Sequence, residues 1–229
     1  MDTAIHNLLF RPMIPGNSDV LLPGKVVVNP DSSLRLLAES EHLEFFVGAM
    51  FGLGGRLFKD PSHVDIARRL TEGCIWAYNA TPSGVAPENF YTIACDPKSE
   101  CVWNETLWRE RGGSFHTMGF TGTRDAKYLL RPEAVESVFY LYRITGESRY
   151  QDEAWKLFQT IDSRTRTEFG NAELTNVFEE ESFKKDQMES FWLGETLKYL
   201  YLIFSDPDFI SLDDFVFNTE AHPFRIPKK

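Results

Sequence analysis

The sequence predicts an all-α fold built from stacked helix pairs. Stretches with apolar residues at helical spacing recur along the chain and come in pairs, joined by loops of uneven length. Several are apolar on more than one face, so they must stack on neighbours, as in a bundle, a solenoid or an α/α toroid. No short repeat motif marks a tetratricopeptide or ankyrin array.

Residues 1–36 are rich in Pro, Gly, Asn, Asp and Ser, with one apolar run at Val26-Val27-Val28. They read as loops with a β-hairpin arm. Leu34 to Leu57 is apolar nearly all round, through Leu43, Phe45, Phe46, Met50 and Leu53, which predicts a helix buried on most sides. A second helix with a mixed face covers about 61–80. Residues 81–130 read as a long loop region, a place for functional loops.

Arg131 to Thr145 is the next expected helix, with Pro132 at its first position and Gly146 as its stop. Arg149 to Arg164 carries Ala154, Trp155, Phe158 and Ile161 at helical spacing, and Asp186 to Phe204 forms the last helix. The tail from Ser205 reads as extended, with a short strand at Val216-Phe217.

A net charge of −10 disfavours nucleic acid or an anionic membrane as partner, since both call for basic surface. No run of about 20 apolar residues exists to span a membrane, and the start Met1-Asp2-Thr3-Ala4-Ile5-His6 lacks the look of a signal peptide. Cys74, Cys95 and Cys101 make no zinc pattern, because there is no CxxC. Asn79-Ala80-Thr81 and Asn104-Glu105-Thr106 are N-glycan acceptor sequences if the chain is secreted. The many aromatics suit stacking on sugar rings and suit ordinary cores equally well.

Arg131-Pro132-Glu133-Ala134-Val135-Glu136-Ser137 puts two carboxylates three apart in a first helical turn. Free N–H groups and the helix dipole favour the ionised form there, as a general base requires; helix capping asks for the same residues. Asp186 and Glu189 repeat the spacing as a capping box, and Glu195 follows beside Phe191 and Trp192. Glu88 comes after the turn Gly84-Val85-Ala86-Pro87. Asn218-Thr219-Glu220-Ala221-His222 gathers polar groups in an apolar tail, and His42 stands alone in an apolar run, where a satisfied core histidine is the plainer reading. No GxSxG, GxGxxG or EF-hand loop is present.

Taken together, these blocks resemble glycoside hydrolase family 47, the class I α-1,2-mannosidases. The matching residues run in order over about 35–226. They are His42-Leu43 with Leu53-Gly54-Gly55, then Gly84 to Glu88, then Leu130 to Ser137 with Tyr140-Leu141-Tyr142-Arg143. Met188-Glu189-Ser190-Phe191 through Glu195 to Leu202 follows, and Val216 to Pro223 ends the series. The resemblance implies a partial (αα)7 barrel with short β-hairpin elements, residues 1–229 forming the C-terminal half of the family domain: a hairpin-rich start over 1–36 and a helical part over 37–229. It implies inverting hydrolysis of terminal α-1,2-linked mannose from high-mannose N-glycans on glycoproteins, in the secretory pathway. The alternative is a non-catalytic relative that recognises mannose glycans in glycoprotein quality control.

By position, the resemblance makes Glu133 the base and Glu88 a further active-site carboxylate, sometimes a proton donor. His42, Arg131, Glu136, Glu189 and Glu220 would line the sugar or hold water around a Ca²⁺ ion whose direct ligand is Thr219. Two departures stand out. The family's other essential carboxylate, commonly the acid, and an assisting Asp belong to the N-terminal half and have no counterpart here. The family disulfide links the position three after the histidine to one 29 residues later. Cys74 matches the second, but Phe45 stands at the first, which leaves Cys74 free or re-paired and Cys95 able to pair with Cys101.

Overall fold

The computed structural model describes residues 1–228. Seven α-helices order the described chain: α1 Asp2–Asn7, α2 Val47–Leu57, α3 Pro61–Asn79, α4 Glu105–Glu110, α5 Glu133–Thr145, α6 Arg149–Thr165 and α7 Leu197–Ile203. Five antiparallel two-stranded ribbons fill the connections. They are β1 Leu9–Phe10 with β2 Leu22–Pro23, β3 Lys25–Val28 with β4 Leu34–Leu37, and β5 Glu39–Glu41 with β6 Asn89–Tyr91. β7 Glu173–Leu174 pairs with β8 Lys184–Lys185, and β9 Phe215–Phe217 with β10 Pro223–Arg225.

The loops 58–60 and 146–148 are too short for anything but helix hairpins, so α2 turns back into α3 and α5 into α6. Local chemistry fixes these turns. Asp60 caps α3 by accepting the Ser62 N–H at 2.9 Å, and Pro61 follows at the first helical position. Gly146 ends α5 in the left-handed region at φ 71, which a side chain would resist. The helix α5 is the hub, packing on α2, α3, α6 and α7, and is buried from Glu133 to Leu141 apart from a partly exposed Glu136.

Close approach explains two hydroxyls in this packing. A Cβ at Gly48 would lie 2.8 Å from both Ser137 Oγ and Thr71 Oγ1, so glycine lets α2 settle onto α3 and α5. Ser137 Oγ then donates to the Phe45 carbonyl at 2.6 Å and accepts the Ala49 N–H at 2.9 Å. One turn earlier on the same face stands Glu133, which this docking presses toward His42.

Three expected boundaries need correction. Residues 34–46 are not helical: β4 pairs with β3, β5 pairs with β6, and His42–Phe46 is a 3₁₀ turn before α2 begins at Val47. A continuous apolar run does not separate strand from buried helix, and here the ladder partners decide. The helix expected from Asp186 starts at Ser190, because Gln187 is still held extended, its carbonyl accepting the Glu173 N–H at 3.0 Å. The capping box at Asp186 therefore does not form, and Trp192–Thr196 makes a single π turn before α7. Pro132 sits in the cap position, and Glu133 is the first residue of α5. Within 81–130 the structure adds β6 and α4 to the expected loops.

Cys95 and Cys101 are disulfide-bonded, and Cys74 is a free buried thiol. Its sulfur lies 3.2 Å from the Leu70 carbonyl and 3.8 Å from that of Phe45.

Candidate active site

The pairing of β5 with β6 places two of the expected residues. Glu41 opposes Asn89 in the register, so the next step along each strand brings His42 beside Glu88, and the His42 N–H donates to the Glu88 carbonyl at 3.0 Å. Strain places a third. Leu130, fully buried, holds φ 63, a costly conformation for a branched residue. Thr196 Oγ1 secures it by donating to the Leu130 carbonyl at 2.7 Å, and the turn delivers Arg131 and then α5 into the site.

Glu133 is almost wholly buried, and its carboxylate is divided between two neighbours. Oε2 lies 2.9 Å from His42 Nδ1, and Oε1 lies 3.7 Å from Arg131 Nη1. Arg131 Nε donates to both oxygens of Glu88, at 2.8 and 2.7 Å. Burial works against the Arg131 cation, but Glu88, Glu133 and Glu189 around it outweigh burial and raise its pKa. Glu88 is raised above the usual carboxylate range chiefly by burial, with Glu133 adding to it and the Arg131 guanidinium opposing. The guanidinium also stands over the Phe191 ring, 5.6 Å from its centroid.

A cavity of about 450 Å³ opens beside Glu133. One wall is apolar, from Leu43, Phe46, Met50 and Leu53; the other carries Glu133, Glu136, Tyr140, Asn218 and Thr219. Glu136 is pushed up to about 8 by burial and by Glu133 and Glu195, against a 3.3 Å hydrogen bond from Tyr199. Glu195 is raised by burial, then by Glu133 and Glu220. A second hollow of about 330 Å³ lies across Leu43, lined by Glu41, Glu88, Asn89, Arg124, Asp125 and Arg131.

The structure thus brings together His42, Glu88, Arg131, Glu133, Glu136 and Thr219. Glu189 and Glu220 stand farther out: Glu189 acts on Arg131, while Glu220 is exposed and acts on Glu195. Sequence reasoning put Glu195 on the last helix beside large aromatics, as suits a sugar-lined cavity or an exposed stripe alike, and its place in the Glu195–Leu202 block was the further signal. It gave no role to Tyr78 or Tyr199.

The profile of glycosyl hydrolase family 47 matches residues 1–226. The chain belongs to this family. It is 40% identical over 174 residues to mannosyl-oligosaccharide 1,2-alpha-mannosidase MNS3 of Arabidopsis thaliana, covering 74% of this chain and 27% of that protein. It is 37% identical over 202 residues to the human endoplasmic reticulum mannosyl-oligosaccharide 1,2-alpha-mannosidase, covering 84% of this chain and 26% of that protein. Its fold matches an alpha-1,2-mannosidase from Trichoderma reesei with a TM-score of 0.83 and 31% identity, over 99% of this chain and 45% of that one. The family 47 chain therefore spans about a quarter of these curated relatives and under half of the solved enzyme. Its helix hairpins are those of a partial α/α barrel, as the resemblance implied.

Among the described residues, no group of three His, Cys, Asp or Glu side chains stands close enough to hold a metal directly. The oxygens present nevertheless fit a hard cation bound largely through water. Thr219, with its hydroxyl and carbonyl oxygens, lines the cavity, and Glu136 and Glu195, raised first by burial and then by neighbouring carboxylates, are groups that a nearby cation would favour in the ionised form.

Proposed function

We propose that this chain forms the base-bearing, C-terminal half (residues 1–229) of an inverting, calcium-dependent α-1,2-mannosidase domain acting on high-mannose N-glycans in the secretory pathway. The observation that carries the reading is Glu133, buried between His42 and Arg131 and open to the cavity that Glu136 and Thr219 also line.

In an inverting hydrolase a base takes a proton from water while an acid on the opposite face protonates the leaving oxygen. Glu133 would act as the base, a reading supported by His42 against Oε2 and by Oε1 beside Arg131, where it can accept the water proton. Arg131 balances both carboxylates and orients Glu88 by donating to both of its oxygens. Phe191 and the apolar wall offer faces for the sugar ring.

Thr219 would hold Ca²⁺ directly, with Glu136, Glu189, Glu195 and Glu220 gripping its waters. The ion supplies positive charge for sugar hydroxyls and for the acidic cluster. The acid partner is assigned to the remainder of the family domain. Relatives named for the endoplasmic reticulum support secretory residence.

Mannose release from a Man9 glycan tests the reading, comparing this chain, a version joined to a family N-terminal half, and Glu133→Gln in the joined version. Calcium-dependent release abolished by Glu133→Gln is expected. Release that survives the substitution removes Glu133 as base, and glycan binding without release favours a recognition role instead.

A further inference from the structure

His42 Nε2 lies 2.7 Å from the hydroxyl of Tyr78, on α3, while Nδ1 faces Glu133 at 2.9 Å. His42 and Tyr78 are wholly shut off from solvent, so each hydrogen on this path needs a partner within it. Among the described residues the well-placed hydrogen-bond partner of the Tyr78 hydroxyl is His42 Nε2. The Tyr128 hydroxyl sits beside it as a second, poorly aligned partner that forms no regular hydrogen bond.

We infer that Tyr78 is a positioning residue: its O–H donates to His42 Nε2, which fixes the imidazole as the Nδ1–H tautomer and aims that hydrogen at Glu133 Oε2. Two alternatives satisfy the hydrogens less well. An Nε2–H tautomer would turn a bare Nδ1 lone pair on a carboxylate oxygen at 2.9 Å, acceptor against acceptor. An imidazolium would occupy Tyr78 as acceptor and leave the phenol hydrogen only the poorly aligned Tyr128 hydroxyl. In the remaining arrangement the His42 and Tyr78 hydrogens both take well-placed partners, and the partner on one ring nitrogen sets the state of the other.

The packing supports a positioning role. The His42 ring is wedged against Phe45, Tyr78 and Tyr128 at centroid distances of 5.0, 5.7 and 6.0 Å. A ring so enclosed cannot swing to another partner without opening the core. Tyr78 is therefore linked to Glu133 through one histidine, although 55 residues separate them in sequence and Tyr78 does not line the cavity. The functional meaning of this inference rests on Glu133 as base; the direction of the hydrogen bonds does not.

The chain has five histidines, so ¹⁵N-histidine labelling gives a readable spectrum. Long-range ¹H–¹⁵N correlations report which ring nitrogen carries hydrogen, with His42 assigned by replacing the other four in turn. The expected signature is a protonated Nδ1 and an unprotonated, hydrogen-bonded Nε2. In Tyr78→Phe the His42 Nε2 resonance should move by several ppm toward the free-imidazole position, and the tautomers should mix. An Nε2–H or imidazolium pattern in the unaltered chain overturns the inference, as does a His42 signal unmoved by Tyr78→Phe. In a domain-length active enzyme, Tyr78→Phe should lower kcat about 10- to 100-fold at nearly constant KM. If the tautomer is as stated and Glu133→Gln leaves activity intact, the base reading falls and the hydrogen-bond chain stands.

Discussion

Arg131 and Glu88 meet through a single nitrogen. Arg131 Nε lies 2.8 and 2.7 Å from the two Glu88 oxygens, leaving the guanidinium tip to reach toward Glu133. Both side chains are largely buried, exposed by 24% and 13%, so neither charge has water to fall back on. Removing one partner of such a pair costs more than the pair contributes, because the survivor stays desolvated. Arg131→Ala should destabilise the chain by about 2–4 kcal/mol, read from the urea midpoint. Adding Glu88→Gln to it should recover part of that loss. Two additive losses would show that the residues act independently.

Glu136 makes stability depend on pH. Its carboxyl is raised from the usual range to about 8, chiefly by burial and by Glu133. A folded-state pKa above the unfolded one means the folded chain holds its proton more tightly. The associated stability is complete below about pH 4.5 and is lost as pH rises through about 8. At 1.36 kcal/mol per unit the swing is at most roughly 5 kcal/mol. Glu136→Gln should flatten this part of the profile and stabilise the metal-free chain above pH 8. Thermal denaturation from pH 5 to 9 checks the sign, and Ca²⁺ should reduce the difference by favouring the ionised carboxylate.

The helix hairpins were legible in the sequence because their stops are chemical: Pro61, Gly146 and the apolar spacing of α5 and α6 leave little choice. The stretch 34–46 misled because Leu36, Phe45 and Phe46 read the same in a strand, a 3₁₀ turn or a helix, and only distant Lys25–Val28 and Asn89–Tyr91 select the outcome. Asp186–Glu189 carried a good local capping pattern that lost to the ladder through Glu173. Site carboxylates showed themselves by clustering at turns. Tyr78 did not, since its hydroxyl acquires meaning only when α3 brings it to His42.

The three cysteines should behave differently toward thiol reagents. Cys74 is buried, and burial pushes its thiol well above the ordinary range, which starves it of reactive thiolate. The native chain should show no reactive thiol, and one after denaturation without reductant. The Cys95–Cys101 link closes a loop of sequence separation 6 onto the segment where Arg11 donates to the Asp96 and Ser99 carbonyls at 2.9 and 2.7 Å. Breaking it with Cys101→Ser should cost about 2 kcal/mol by loop entropy, with proteolysis increased near Arg11. A reactive thiol in the native chain would contradict the burial of Cys74.

Phe45 occupies the place where the family resemblance puts the partner of Cys74. The Cys74 sulfur already lies 3.8 Å from the Phe45 carbonyl, so its side chain reaches the backbone at position 45. Phe45→Cys should therefore form the bond on oxidation, and the denatured thiol count should drop from one to none. Closing a loop between positions 29 apart stabilises by roughly 3–4 kcal/mol. Against this, the lost ring is 1% exposed and packs on His42 and Phe90, and losing it costs about 3–5 kcal/mol. The oxidised variant should match the parent within about 1–2 kcal/mol, and the reduced variant should fall below it by the full cavity cost. Its His42 ring, freed on one side, should also give broader resonances. Two free thiols after oxidation would mean that the ring at position 45 holds the backbones in a geometry no disulfide can span.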